Sequence, residues 1–236
     1  MAQLIAQQGP SCLYTVESMA QFTLLRQEAV AARKRIPLLL RLTSGNQFGI
    51  TSQEIEGILD RYPNDPFVEL RGIQYFSGTQ KTSLKRLKRE LNHLDALFQD
   101  WEKRLGFLPA ELEIGPGFPV AYFPEDQFDE AAFLQEVSYL LEHMAYQGPI
   151  TLELGRSIAA SCGTYVTRVV DVKSNTTGNY AILDGGIHHL AYYGQSMGMR
   201  CPPLRLLGPR DPHQVQLWTL CGSLCTIHDL LAKQVP

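Results

Sequence analysis

Two hydrophobic patterns alternate along the first two thirds of the chain. Short continuous apolar runs predict buried strands at residues 13–16, 37–42, 67–76, 110–114 and 150–153. Between these runs, apolar residues recur every three or four positions, which predicts helices at residues 19–32, 51–59, 84–105 and 128–146. Strands that alternate with helices indicate a parallel sheet whose connections are right-handed.

The clearest predicted helix covers residues 84–105. Its apolar residues fall on one face: Leu84, Leu87, Leu91, Leu94, Phe98, Trp101 and Leu105. Its charged residues lie mostly outside that face: Lys85, Arg86, Lys88, Arg89 and Glu90. The basic run is therefore interpreted as a solvated helix face and not as a nucleic-acid patch. For the preceding helix, Thr51 followed by Glu54 predicts a capping box at the start.

The pattern changes in the last third of the chain. Residues 165–173 are rich in valine and threonine, residues 175–179 predict a turn, and residues 180–183 begin another strand. This arrangement predicts a hairpin that opens a separate β domain. We therefore expect two domains, residues 1–160 and residues 161–236.

Composition narrows the class of protein without identifying it. The net charge of −3 gives no indication of a nucleic-acid or anionic-membrane partner. We expect no signal peptide and no membrane-spanning helix. Five cysteines are an odd and sparse set, which indicates reduced thiols and a cytoplasmic location. Cys221, Cys225 and His228 do not follow a usual zinc spacing, so we expect no metal.

The most informative candidate chemistry is the sequence Glu153, Leu154, Gly155 and Arg156, which follows the apolar run 148–152. A carboxylate at a strand end can bind a protonated ring nitrogen, and an arginine can bind a phosphate through its planar guanidinium. Both groups are needed to hold pyridoxal phosphate (PLP). The alternative is a salt-bridged loop after a strand, because charged residues are ordinarily exposed.

Two glycine-containing turns follow other predicted strands. One contains Gly115, Pro116 and Gly117, and glycines allow a backbone to approach an anion closely. The other carries the aromatic residue Phe76 and, three residues later, the hydroxyl of Thr79. Either turn alone is weak support, because most such turns only change the direction of the chain. Three successive strand ends that all carry such residues together indicate a common binding site.

On these strand ends the chain resembles the PLP-dependent decarboxylases of the alanine-racemase fold type. That family includes the diaminopimelate, ornithine and arginine decarboxylases, and the chain is most similar to diaminopimelate-decarboxylase-like proteins. The resemblance runs from about Tyr14 to the C-terminus. Further matching segments lie at residues 40–42, 47–50, 162–173, 183–186 and 225–232.

The resemblance implies an α/β fold. It corresponds to a partial (β/α)8 TIM barrel, with about five of the eight strands, followed by the start of a mostly-β C-terminal domain. In the family, the Schiff-base lysine lies on an early barrel strand, upstream of the matching region. We therefore expect this chain to be a fragment, inactive in isolation. Its open sheet edges predict a tendency to aggregate.

The resemblance also implies a PLP site. Glu153 would face the pyridine nitrogen, and Arg156 would contact the phosphate and the substrate, with Leu154 and Gly155 between them. Thr79 stands where the family has a phosphate-side serine.

The remaining cofactor contacts include two departures from the family. Gly115 and Gly117 would line the phosphate with backbone N–H groups. Pro116 replaces the third glycine of the family and has no N–H to donate. Phe76 replaces a histidine that stacks on the cofactor ring, and it is alternatively a plain core aromatic.

Catalytic and substrate residues follow from the same resemblance. Cys225 matches a cysteine that reaches the active site of the neighbouring subunit and protonates the substrate after decarboxylation; alternatively, it is an inert buried thiol. Tyr193, Thr226, Asp229 and Arg156 are the candidate substrate contacts. Thr226 stands where diaminopimelate enzymes have a glutamate, and the family's Arg-Pro pair is absent.

The implied function is a PLP-dependent amino-acid decarboxylase, similar to diaminopimelate decarboxylase of lysine biosynthesis. Its partners would be a small amino-acid substrate and a second subunit in a homodimer with shared active sites, without nucleic acid or membrane. The alternative is a non-catalytic regulatory or interaction paralogue that keeps the fold and the dimer surface.

Overall fold

The structure is a computed structural model that describes residues 1–190, 198–208 and 216–236. The chain forms two compact units. The first contains Met1–Pro119 and Asp129–Ile158, and the second contains Val120–Phe128 and Ala159–Pro236. In the described residues, no helix is long and apolar enough to span a membrane.

The first unit is built on a parallel sheet, as predicted. Its strands follow chain order across the sheet: β1 (Tyr14–Val16), β2 (Ile36–Leu42), β3 (Val68–Phe76), β4 (Glu111–Gly115) and β5 (Ile150–Leu152). The connecting helices are α2 (Met19–Ala32), α3 (Ser52–Arg61), α4 (Leu84–Leu105) and α5 (Glu130–Glu142), after an N-terminal helix α1 (Ala2–Gln8). The continuous apolar run of β2 is buried on both faces, with Leu38, Leu39 and Leu40 at most 1% exposed.

The helix signals in the sequence have the predicted effects. Thr51 and Glu54 form a reciprocal capping box at the start of α3. Five residues of the predicted apolar face of α4 are buried: Leu87, Leu91, Leu94, Phe98 and Trp101. The prediction for residues 128–146 was too long, because Asp129 caps α5 and the carboxylate of Asp95 accepts the N–H groups of Ala145 and Tyr146.

Strand β3 approaches its neighbour β4 very closely at Gly72. The pairing register between β2 and β3 shifts just before this residue. A Cβ atom added at Gly72 would overlap the carbonyl oxygen of Glu111. A side chain at this position would therefore separate β3 from β4.

The second unit contains a four-stranded sheet in the order β6 (Val169–Asn175), β7 (Gly178–Leu183), β8 (Trp218–Cys221) and β9 (Leu230–Val235). The predicted hairpin is present, because β6 and β7 are antiparallel neighbours. The prediction that its first strand begins at residue 165 was wrong. The first registered pair is Val169 with Leu183. Before it, the Asp184 side chain accepts hydrogen bonds from the Thr167 hydroxyl and the Arg168 N–H.

The segment Val120–Phe128 joins the second unit through Arg200. The Arg200 guanidinium donates to Glu125 Oε1 at 2.8 Å and to Asp126 Oδ1 at 2.6 Å. It also lies 3.6 Å from the centre of the Phe123 ring. The predicted domain boundary near residue 160 places this segment in the first domain, and that boundary stays a prediction.

Candidate functional site

The candidate site of the first unit lies where β3, β4 and β5 end. Because the strands are parallel, their carboxyl ends meet at one edge of the sheet. Gln74 is the register partner of Glu113, and Glu113 is the partner of Thr151. The N–H of Glu153 donates to the Ile114 carbonyl at 2.9 Å, which continues this pairing beyond β5.

Glu153 is held by a buried amide. Gln74 is 4% exposed, and its Nε2 atom donates to Glu153 Oε2 at 2.7 Å. Glu153 itself is exposed at the end of the sheet. The buried Gln74 amide therefore fixes the orientation of the exposed Glu153 carboxylate. Gln74 is not among the predicted site residues, although a polar residue within an apolar strand is a signal of this kind of contact.

A second carboxyl group, on Glu113, lies beside Glu153. Burial, a hydrogen bond with Glu153 and the negative charge of Glu153 raise the pKa of Glu113 to about 7. Near neutral pH, Glu113 therefore keeps its proton in a substantial fraction of molecules. In those molecules the proton on Glu113 removes the repulsion between two negatively charged carboxylates. Glu113 is likewise not among the predicted site residues.

Protein stability should decline as pH rises from about 4.5 to about 7. The Glu113 carboxyl ionises near its ordinary pKa of 4.5 in the unfolded chain and near 7 in the folded chain. Between these values the folded state binds more protons, so raising the pH favours unfolding, by about 1–2 kcal/mol for this half-buried group. Urea unfolding across this range should show the decline in the parent and not in Glu113→Gln. The matched control is Glu102→Gln on an exposed helix surface. An unchanged difference between parent and Glu113→Gln across this pH range would contradict the assignment.

Phe76 and Gly115 form the wall next to Glu153. A Cβ atom added at Gly115 would lie 2.5 Å from Phe76 Cδ2 and 3.3 Å from Glu153 Oε2. The absence of a side chain at Gly115 therefore allows the aromatic ring and the carboxylate to stand close together. Phe76 is half-buried.

Two backbone turns meet beside this wall. Gly117 has a φ of +67° and lies so close to the Gly78 carbonyl that a Cβ atom would overlap it. The Lys81 N–H donates to the Gly117 carbonyl at 2.9 Å. The turn that carries Thr79 is thus in contact with the turn 115–117. Pro116 is buried within the second turn.

The residues after Glu153 lead directly into a short helix. Leu154 is half-buried and Gly155 is exposed. Arg156 is half-buried and opens α6 (Arg156–Ala159). The roles predicted for Leu154, Gly155 and Arg156 in cofactor binding stay predictions.

The candidate catalytic and substrate residues of the last third lie in the second unit. Cys225 is a free, exposed thiol in the loop that precedes β9, and Thr226 follows it with its hydroxyl accepting the His228 N–H at 3.2 Å. Tyr193 lies outside the described residues. Within the described residues, no cluster of His, Cys, Asp or Glu is suited to hold a metal ion.

Asp229 organises the loop that carries Cys225. Its carboxylate is buried and accepts the N–H groups of Ile187 and Leu224, each at 2.8 Å. Gly186 and Gly222 pack so closely against it that a Cβ atom at either would overlap the carboxylate. These contacts are all to the chain itself, and the predicted substrate contact of Asp229 stays a prediction.

Replacing Asp229 by asparagine should destabilise the second unit by about 2–4 kcal/mol. The side-chain amide loses the charge-assisted bonds, and its NH2 group confronts backbone donors. Urea unfolding followed by the fluorescence of Trp218, which lies in β8, would measure the change. Asp171→Asn is the control, because Asp171 is exposed in the same unit. Equal stability of the two variants would remove the proposed organising role.

Comparison with known proteins shows the family to which the chain belongs. The sequence model described as "Pyridoxal-dependent decarboxylase, C-terminal sheet domain" matches residues 13–236. The chain therefore belongs to the pyridoxal-dependent decarboxylase family, whose cofactor is the one predicted from the strand ends.

Individual relatives of the chain are also decarboxylases. L-glutamyl-[BtrI acyl-carrier protein] decarboxylase of Niallia circulans is 30% identical over 202 residues, which cover 80% of this chain and 46% of the relative. A probable chloroplastic diaminopimelate decarboxylase of Oryza sativa subsp. japonica is 27% identical, over 87% of this chain and 44% of the relative. The fold matches diaminopimelate decarboxylase from M. jannaschii, crystallised with L-lysine, with a TM-score of 0.74 at 15% identity. That match covers 94% of this chain and 55% of the solved chain, so this chain spans about half the length of the proteins it matches.

Proposed function

We propose that this chain supplies part of the cofactor site of a PLP-dependent amino-acid decarboxylase. In this proposal the five parallel strands are a sector of a (β/α)8 barrel, whose active site lies at the carboxyl ends of its strands. The observation that carries the proposal is the carboxyl pair Glu113 and Glu153 beside Phe76. The Glu153 carboxylate would face a protonated pyridine nitrogen, and the raised pKa of Glu113 limits the further negative charge beside it.

The residues at this edge fit the two ends of the cofactor. Glu153, oriented by Gln74, would bind the ring nitrogen, and the ring of the half-buried Phe76 would stack on the cofactor. The turns that carry Thr79 and Gly117 would bind the phosphate, together with Arg156. When bound, the cofactor supplies the electron sink that allows CO₂ to leave the substrate's α-carbon.

The chain's own residues would then control charge and protons. Glu153 keeps the ring nitrogen protonated, because a carboxylate opposite the nitrogen favours its charged form. Cys225 would return a proton to the α-carbon in the site of a neighbouring subunit, within a homodimer that shares its active sites. Its exposure supports this role, since a thiol must reach substrate to act as an acid.

The substrate would be an α-amino acid, with Arg156, Tyr193, Thr226 and Asp229 as candidate contacts. Thr226 lacks the charge that a diaminopimelate-type glutamate would provide, so a second ammonium group would lose a partner here. The relative from Niallia circulans acts on an L-glutamyl group attached to an acyl-carrier protein. A carrier-bound amino acid therefore belongs among the candidate substrates, beside diaminopimelate.

Titration calorimetry of the chain with PLP and with pyridoxal tests the cofactor site. PLP should bind about tenfold tighter or more, because only PLP carries the phosphate. Glu153→Gln should weaken the binding of both compounds about tenfold, since it removes the charge opposite the ring nitrogen. Glu102→Gln is the surface control. Absence of a preference for PLP, with no effect of Glu153→Gln, would contradict the proposal.

Release of CO₂ from candidate amino acids by the complete protein separates the enzyme from the alternative. Turnover of at least one free or carrier-bound amino acid is expected. A complete protein that binds PLP and releases no CO₂ would instead support the non-catalytic paralogue.

A further inference from the structure

Lys81 is a buried lysine close to the candidate phosphate site. Its side chain is only 3% exposed. The ammonium group donates to Glu90 Oε2 at 2.7 Å and to Ser77 Oγ at 2.6 Å. A lysine is seldom buried without a specific partner, because desolvation of its charge is costly. Burial lowers the pKa of Lys81, while the bond to Glu90 opposes that shift.

The partners of Lys81 form a closed network between α4 and the turn after β3. The Ser77 hydroxyl donates to Glu90 Oε1 at 2.6 Å. Arg86 donates to the same oxygen at 3.1 Å and to the Ser77 carbonyl at 2.6 Å. Glu90 and Arg86 both belong to α4. A buried ion pair of this kind adds little net stability, but it fixes the relative position of the groups it joins.

The backbone of Lys81 is anchored on the opposite side. Its N–H donates to the Gly117 carbonyl at 2.9 Å, and Gly117 also packs closely against the Gly78 carbonyl. Lys81 therefore joins the turn 77–81 to α4 through its side chain and to the turn 115–117 through its backbone. Thr79 belongs to the turn that these two attachments hold.

The turn between the anchors holds an unfavourable backbone conformation. Gln80, which directly precedes Lys81, is a non-glycine residue with a φ of +54°. This left-handed conformation is unfavourable for a residue with a side chain unless surrounding contacts enforce it. The two attachments of the adjacent Lys81 are contacts of that kind. These attachments hold the turn, and Thr79 within it, beside Gly117.

We propose that Lys81 is a positioning residue for the cofactor phosphate, holding Thr79 against the turn 115–117 without touching the phosphate itself. This inference rests on the proposed PLP site. It assigns the buried pair of Lys81 and Glu90 a purpose other than stability. The phosphate would bind between the turns 77–81 and 115–117. The contact of Lys81 with α4 would set the distance between these turns.

The test compares PLP with pyridoxal, because only PLP carries the phosphate that the turns 77–81 and 115–117 would bind. In the full chain, Lys81→Met should reduce the preference for PLP over pyridoxal about tenfold or more, since small displacements of binding groups have large effects. The affinity for pyridoxal should change less than twofold. Lys88→Met is the matched control, because Lys88 is an exposed lysine of α4, and it should behave as the parent.

A second variant separates positioning from stability. Lys81→Met with Glu90→Met replaces the ion pair by apolar side chains, and such replacements often keep or raise stability. It should melt within a few degrees of the parent and still show the reduced preference. Hydrogen exchange at the amide of residue 81 should be about tenfold faster or more in both Lys81 variants without any cofactor, because the turn is released.

The outcomes distinguish the two proposals. A parent chain that prefers PLP, with folded Lys81 variants that keep this preference and the slow amide exchange, would overturn the positioning role alone. A parent chain with no preference for PLP would overturn the proposed cofactor site and the positioning role with it.

Discussion

Cys225→Ala should slow CO₂-releasing turnover of the complete enzyme about 10²–10⁴-fold while leaving PLP affinity nearly unchanged. A positioned acid typically contributes an effect of this size, and the thiol is not proposed to touch the cofactor. Glu153→Gln should lower both PLP affinity and the rate of CO₂ release, because it weakens the charge opposite the ring nitrogen. Steady-state CO₂ release and PLP titration would measure both variants. Cys162→Ala is the control, because Cys162 is an exposed free thiol outside the proposed site.

Mixing the two variants tests whether the active sites are shared. If Cys225 acts in the neighbouring subunit, a heterodimer of Cys225→Ala with Glu153→Gln contains one site with both native residues. Activity in the mixture should therefore exceed that of either variant alone. Confirmed heterodimers without recovered activity would place both residues in one subunit's site or remove Cys225 from the reaction.

Gly72→Ala should destabilise the first unit by about 3 kcal/mol or more. The added methyl group would overlap the Glu111 carbonyl, and relief requires separation of two central strands. Urea unfolding followed by the fluorescence of Trp101, a buried residue of α4, would measure the loss. Gly57→Ala in α3 is the control, because nothing lies near its added methyl group and alanine favours the helix. Equal stability of the two variants would contradict the close approach at Gly72.

Local signals in the sequence specified most of the first unit. Residues 19–32 were predicted as a helix with the same bounds as α2, and Thr51 with Glu54 form the expected cap. The face of α4 was predicted because its apolar spacing is regular over many turns. These features depend on residues close in sequence, where periodicity and capping determine structure.

Features that depend on distant residues were not predictable in the same way. Helix α1 and the short strands β8 and β9 were missed, since none shows a sustained hydrophobic period. Glu90 was assigned to the solvated face of α4, but its carboxylate turns inward to bind Lys81. At the candidate site, Glu153 was identified from its position after a strand. Which groups stand beside it follows from strand pairing, which places Gln74 next to Glu113 and Glu113 next to Thr151.

The discontinuous second unit has a consequence for how such proteins can be recombined. A single crossover near residue 158 would exchange the β sheet but leave behind the acidic and aromatic partners of Arg200, which lie on residues 120–128. A chimera that keeps this cluster together needs junctions after Pro119, Phe128 and Ile158. A chimera made with a single crossover would therefore leave Arg200 without these partners. Residues 120–128 should therefore be transferred together with residues 159–236.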